Sequence, residues 1–210
     1  MLYGMARAST VGVRNPEATR KKLLEAAFLE FYANGFQGGS INHVVDDAGT
    51  TKGALFHHFD SKHALGYAVV DEIIGPLLLS RWLDPLRSTD DPIPVIQDTF
   101  RRLAEEDIAS GNFVRGCPLN NLAQEMSPLD PGFQARIGRL YETWREAYAV
   151  ALDHGKSVRS VKLDVEADDV AGLLVAAQMG IWGSGKSTRD PRVVRHAVNA
   201  VCEFLESLRE

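Results

Sequence analysis

The chain has 210 residues, 45% hydrophobic and 24% charged, with a formal net charge of −5. That balance excludes disordered and fibrous classes and leaves room for one or two small hydrophobic cores. No apolar run approaches the roughly 20 residues of a membrane span, and the opening MLYGMARAST lacks the apolar stretch of a secretory signal, so a cytoplasmic protein with no membrane partner is expected.

The charge is unevenly spread. Residues 1–65 hold seven Lys/Arg against six Asp/Glu and four of the six histidines, whereas residues 66–210 hold 16 against 22. A surface that meets a polyanion therefore belongs to the first third. Cys117 and Cys202 lie far apart without metal-ligand spacing, which suits two unbridged thiols in a reducing compartment. Neither a metal nor a cofactor is expected.

In chain order, residues 1–14 read as a flexible polar arm in which Arg7 and Arg14 stand out. Asn15 can cap a helix that Pro16 opens, with Leu23, Leu24, Ala27, Phe28 and Phe31 on one stripe and Gly35 at its end. Two short helices follow, Ile41 to Ala48 and Lys52 to Phe59, joined by Gly49-Thr50-Thr51. Ser61 can cap a longer helix through Ile74, which Gly75-Pro76 should break or kink. Residues 84–94 form a polar, proline-rich loop, and helical patterns resume near 93–109, 118–127, 131–154, 165–182 and 190–208. The result is an all-α chain of about nine helices, a three-helix head and a larger body.

Two short helices around a tight glycine turn bury little by themselves and need the preceding helix as a wall, the arrangement of a helix-turn-helix. Ile41, Val44, Val45 and Ala48 face inward from the first, and Leu55, Phe56 and Phe59 anchor the second. Ala54, His57 and His58 remain outward, with Thr50, Thr51, Lys52 and Gly53 at the leading end, a group that suits insertion into a DNA major groove.

The stretch GFQGGSINHVVDDAGTTKGALFHHFDSKHAL, residues 35–65, resembles the DNA-binding head of the TetR family of transcriptional regulators. The resemblance is specific over residues 15–70 and rests on length and helix count beyond. It implies a helix-turn-helix domain at 15–60 and a ligand-binding and dimerisation domain at 61–210. It places Lys52 and Gly53 at base edges, Thr50, Thr51, His57 and His58 on phosphates and sugars, and Lys62 on a further phosphate. Phe56 stands where the family usually has tyrosine, Val45 where it has alanine, and Gly39 where a threonine starts the first short helix, leaving Gly39 or Ser40 to cap it.

GIWGSGKS, residues 180–187, fits the phosphate-loop pattern letter for letter. The preceding residues have helical spacing, and the next helix starts only near Asp190, so a helix exit with a flexible glycine-serine connector is expected instead of a nucleotide site. The last two helices offer apolar seams for a four-helix dimer interface: Leu173, Leu174, Ala177 and Ile181 on one, Val194, Ala197, Val198, Val201 and Leu205 on the other.

Family members usually hold a small-molecule pocket in the body; the candidates are Phe100, Phe113, Cys117, Met126, Tyr141, Trp144, Gln178 and Trp182, with Gln178 best placed to orient a ligand. The expected protein is a homodimeric repressor that a small-molecule effector releases from a palindromic DNA operator, with Gly75-Pro76 transmitting the motion. Two alternatives stand beside it: an oxidant sensor using a Cys117 thiol of lowered pKa at a helix start, and an architectural DNA-binding protein without ligand. No catalytic constellation is present to indicate an enzyme.

Overall fold

The computed structural model describes residues 15–87 and 89–210, so the expected arm at 1–14, with Arg7 and Arg14, lies outside the described residues. Helix α1 (Pro16–Gly38) begins as its residues dictate, with the Asn15 side chain accepting from the Ala18 amide at 3.1 Å and Pro16 at the first position. Gly35 interrupts it at φ 76° and ψ 167°, a conformation that glycine alone adopts without strain. Helix α2 (Ile41–Asp47), helix α3 (Lys52–His58) and helix α4 (Lys62–Val69) start at Ser40, Thr51 and Ser61, each a side-chain cap.

The expected break at Gly75-Pro76 does not occur. From α4 the chain runs on through a π turn at Val70–Ile74, helix α5 (Gly75–Leu78), a second π turn at Leu79–Leu83 and a 3-10 turn at Asp84–Leu86. The wider π turn carries the Gly75 amide to the Val70 carbonyl and moves the register past the proline, so the missing donor interrupts nothing. The proline-rich loop is correspondingly short, and helix α6 (Pro92–Ala109) starts directly after Asp91.

The body is completed by helix α7 (Pro118–Met126), helix α8 (Pro131–Ser157), helix α9 (Ala167–Thr188) and helix α10 (Pro191–Glu206). Counting α4 and α5 as one rod, the described residues form nine helices and no strand, with one isolated bridge between Val161 and Arg209. The glycine-lysine segment is not a connector. Helix α9 passes through Gly180–Ser187 to Thr188, and Arg189 in the left-handed region ends it. Its amides belong to the helix, and Lys186 donates to the Asn121 side chain at 3.0 Å, so no phosphate cradle forms. Gly185 lets α10 approach, since a Cβ there would lie 2.6 Å from Val194.

Leu23, Leu24, Ala27, Phe31, Val44, Val45, Leu55 and Phe59 form the buried centre of the head. Phe36 continues it into the body, its ring 4.7 Å from that of Phe133 on α8. Head and body are thus one continuous core. Gly66 on α4 sits where this junction is tightest: an added Cβ would meet Phe36 at 2.6 Å and Phe133 at 2.7 Å. Gly66→Ala is therefore expected to destabilise the protein by about 1–3 kcal/mol, read as a lower urea midpoint with unchanged slope. An unshifted midpoint would mean that both rings move aside freely.

Candidate functional site

The first turn of α3 is bare. Thr51, Lys52 and Gly53 are exposed, Thr50 and Ala54 half-buried, and Leu55 and Phe59 anchor the helix from behind. Thr51 caps the turn through Ala54 N–H at 3.2 Å. Among the described residues, a Cβ on Gly53 would meet only the Thr51 hydroxyl, at 3.8 Å. His57 is exposed and His58 half-buried, their rings 5.4 Å apart at the end of the same helix.

Phe56 is not an anchor. It is 48% exposed and projects from the same surface as His57, since only Leu55 and Phe59, four apart, share the inward face. Ser40 rather than Gly39 caps α2, and Gly39 is buried where an added Cβ would lie 2.6 Å from the Phe31 ring.

Lys62 has a different engagement from the expected phosphate contact. Its ammonium donates to the carbonyls of Gly39 at 2.6 Å and Gln37 at 3.2 Å and lies 5.0 Å from the Phe36 ring centroid. Across the same elbow, the Glu125 carboxylate of α7 accepts from the amides of Phe36 and Gln37, both at 2.8 Å. Glu30 accepts from the Ser40 amide at 2.8 Å and meets His43 at 3.3 Å. Burial raises the Glu30 pKa, but the hydrogen bonds from Ser40, Asn34 and His43 outweigh it and leave the carboxyl lowered. Residues 35–40 are thus held by carboxylates on their donors and an ammonium on their acceptors.

A cavity of about 250 Å³ lies behind this elbow, between head and body. Of the eight side chains expected to line the pocket, Cys117, Trp144, Gln178 and Trp182 do so. Phe100, fully buried, stands behind Trp82 at 5.1 Å between centroids. Phe113 packs towards Gly185, Met126 sits at the far end of α7 from the cavity, and Tyr141 is half-buried on α8 outside the lining.

The lining also includes residues with no expected role there: Phe28, Leu29 and Tyr32 from α1, and Arg81, Asp107 and Arg115. The signal for the first three is legible, because Leu29 and Tyr32 widen the apolar stripe of α1 beside Phe28, which already belongs to it. Tyr32 donates to the Gly116 carbonyl at 2.5 Å, and burial pushes its pKa up to about 12.

Burial also pushes the Cys117 thiol up, against lowering contacts from Asn120, Gln178 and Leu119. The lowered thiol pKa expected at this helix start is not found, because desolvation outweighs the amide donors.

The dimer candidates divide as well. Leu174, Ile181, Val194, Val198 and Leu205 are buried within the protomer, where α10 packs on α6 and α9 and the Gln97 amide reaches the Cys202 carbonyl at 2.8 Å. Leu173 is 51% exposed, and Ala177, Ala197 and Val201 are half-buried. They join Ala176, Gly180 and Ala200 on an outward face of α9 and α10.

The described residues contain no helix long and apolar enough to cross a membrane and no cluster of three metal-ligating side chains. The family model described as bacterial regulatory proteins, tetR family, matches residues 23–69, and that described as tetracyclin repressor-like, C-terminal domain, matches residues 98–201. Similar chains include the HTH-type transcriptional repressor DhaR of Mycobacterium sp. (strain GP1), 26% identical over 188 residues, spanning 89% of this chain and 91% of that protein. An uncharacterized HTH-type transcriptional regulator of the lacX 3′ region of Lactococcus lactis subsp. lactis is 30% identical over 138 residues, 65% of this chain and 69% of that one. A solved TetR transcriptional regulator from Chloroflexus aurantiacus J-10-FL superposes with a TM-score of 0.81 at 23% identity, covering 92% of this chain and 97% of its own.

The chain belongs to the TetR family. It is a DNA-binding transcriptional regulator with the all-α fold of that family, a helix-turn-helix head on a helical body. Regulators of the TetR family act by binding DNA, and in this one the clamp around residues 35–40 fixes how the helix-turn-helix is presented. Lys62→Met is expected to lower the melting temperature and weaken binding to all DNA sequences alike while leaving the slope of log Kobs against log salt unchanged. A slope reduced by about 0.9 in magnitude would restore the phosphate contact.

Proposed function

We propose that the protein is a cytoplasmic, homodimeric repressor, without enzymatic activity, that binds a palindromic operator and leaves it when a small molecule fills the cavity behind the head. The working units are the head, residues 15–60, and the ligand-binding and dimerisation body, residues 61–210, with α4 shared between them. The observation that carries the reading is that α1 of the head forms part of the cavity wall through Phe28, Leu29 and Tyr32. A ligand that needs more room there displaces the head directly, and Tyr32–Gly116 is the contact it must disturb. The rod of α4 and α5 stays continuous through Gly75-Pro76, so the shift is one of rigid bodies rather than of a broken helix.

On the DNA side, Lys52 and Gly53 meet base edges. Thr50, Thr51, His57, His58 and Ser40 lie towards the sugar-phosphate backbone, and Ala54 gives a small apolar contact. Phe56, exposed beside them, supplies apolar surface for the sugar-phosphate edge in place of a tyrosine hydroxyl. Lys52→Ala should relax preference at one base position by about 1–3 kcal/mol, measured by binding to a panel of single-base operator variants. A loss equal across the panel would remove the base-reading role.

Two such heads read one site only if held at a fixed separation, about 34–36 Å for successive major grooves. The outward face of α9 and α10, with Leu173, Ala177, Ala197 and Val201, meets its two-fold copy to set that separation. Among the described residues of its own protomer, Gly180 on this face has nothing within 4 Å of an added Cβ. Gly180→Trp is therefore expected to leave the protomer folded and convert a dimer to a monomer in sedimentation velocity. A persisting dimer would place the interface elsewhere.

A further inference from the structure

Resting on the effector-cavity reading above, we propose that the cavity takes a single-ring carboxylic acid that carries a hydrogen-bond donor away from its carboxylate, the chemistry of a hydroxybenzoate. The size of the space comes first. About 250 Å³ is the room of roughly eight water molecules, enough for a substituted ring.

The walls favour a flat apolar body. All three tryptophans of the chain, Trp82, Trp144 and Trp182, line the cavity, with Trp82 at 5.1 Å from Trp144 and 5.5 Å from Trp182 between ring centroids. Offset and edge-on ring contacts stabilise a planar guest beyond its burial alone.

The charges of the lining decide the sign of the ligand. Asp107 is already paired, one oxygen accepting from Arg81 at 3.3 Å and the other from the Trp182 indole at 2.7 Å, so its charge is balanced within the protein. Arg81 is committed in turn to Asp107 and Glu106. Arg115 is different. Among the described residues its guanidinium has no carboxylate partner and lies 5.9 Å from the Tyr32 ring centroid, on the exposed rim of the cavity. A guanidinium of this kind pairs with a carboxylate through two parallel hydrogen bonds.

The inner lining asks for the opposite group. Gln178 is 2% exposed and lines the cavity, and among the described residues its side-chain carbonyl oxygen has no hydrogen-bond partner. An unpaired buried acceptor is costly, and a hydroxyl on the ligand would satisfy it. A second carboxylate would not, because it has no proton to give. The ligand is therefore anionic at the rim and a neutral donor inside.

The test is titration of the full-length protein with 4-hydroxybenzoate, followed by tryptophan fluorescence, since every tryptophan lines the site. Saturable quenching is expected, with affinity at least about tenfold lower for methyl 4-hydroxybenzoate, which loses the charge, and for 4-methoxybenzoate, which loses the donor. Arg115→Met should abolish the preference for acid over ester while keeping the preference for hydroxyl over methoxyl, and Gln178→Met should do the reverse. Equal binding of acid and ester by the unmodified protein, or ratios unmoved by both variants, would overturn the ligand class while leaving the cavity as an effector site. If none of the three compounds quenches and Leu103→Trp, which fills the cavity, also leaves operator binding unchanged, both the class and the cavity reading fail.

Discussion

The geometry of this regulator depends on how residues 35–40 are held. Near the end of α1 the chain turns through Gly35 and exposes amides on one side and carbonyls on the other. The Glu125 carboxylate takes the amides of Phe36 and Gln37, and the Lys62 ammonium takes the carbonyls of Gln37 and Gly39. Charged groups on unpaired backbone dipoles make shorter and stronger hydrogen bonds than neutral partners, and here each charge comes from a different helix. The elbow therefore ties α2 and α3 to α7 and α4 at once. The orientation of the bare turn at Thr51–Gly53 is a consequence.

The same elbow adjoins the cavity. Helix α7 begins at Cys117 and Pro118 in the cavity wall and ends near Glu125 on the elbow, nine residues in all. Helix α1 contributes Phe28, Leu29 and Tyr32 to the wall and continues into Gly35. Two short rigid elements thus connect the space where a ligand would sit to the backbone that aims the recognition helix. The packed rings of Phe36 and Phe133 at the junction leave little room for gradual deformation, which favours two discrete arrangements over a continuum.

Aromatic and charged groups are sorted by depth in the body. Trp82, Trp144 and Trp182 meet around the cavity, Asp107 is paired to Arg81 and Trp182, and Arg115 stays at the rim. Cys117 is inside the same wall, and its enclosure raises the thiol pKa despite the helix amides beside it. Desolvation outweighs the amide donors there, the reverse of the balance at Glu30, where three hydrogen bonds overcome burial.

Local residue chemistry by itself determined the helices and their caps: Asn15, Thr51 and Ser61 each accept from the amide three residues on, and Gly35 breaks α1 where no side chain could follow. It also determined the bare end of α3, because Leu55 and Phe59 leave only one way for that helix to face. Tertiary structure decided what periodicity does not carry. It turned Lys62 inward, made helix of Gly180–Ser187, kept the rod whole at Pro76, and split one apolar seam into buried Leu174 and exposed Leu173. A helical stripe names which residues seek apolar surroundings, but partners from distant helices settle which of them find those surroundings inside the protomer. Arg115 and Gln178 illustrate the limit: their residue types were visible in the chain, whereas the carboxylate that one lacks and the donor that the other lacks exist only as a property of the packed neighbours.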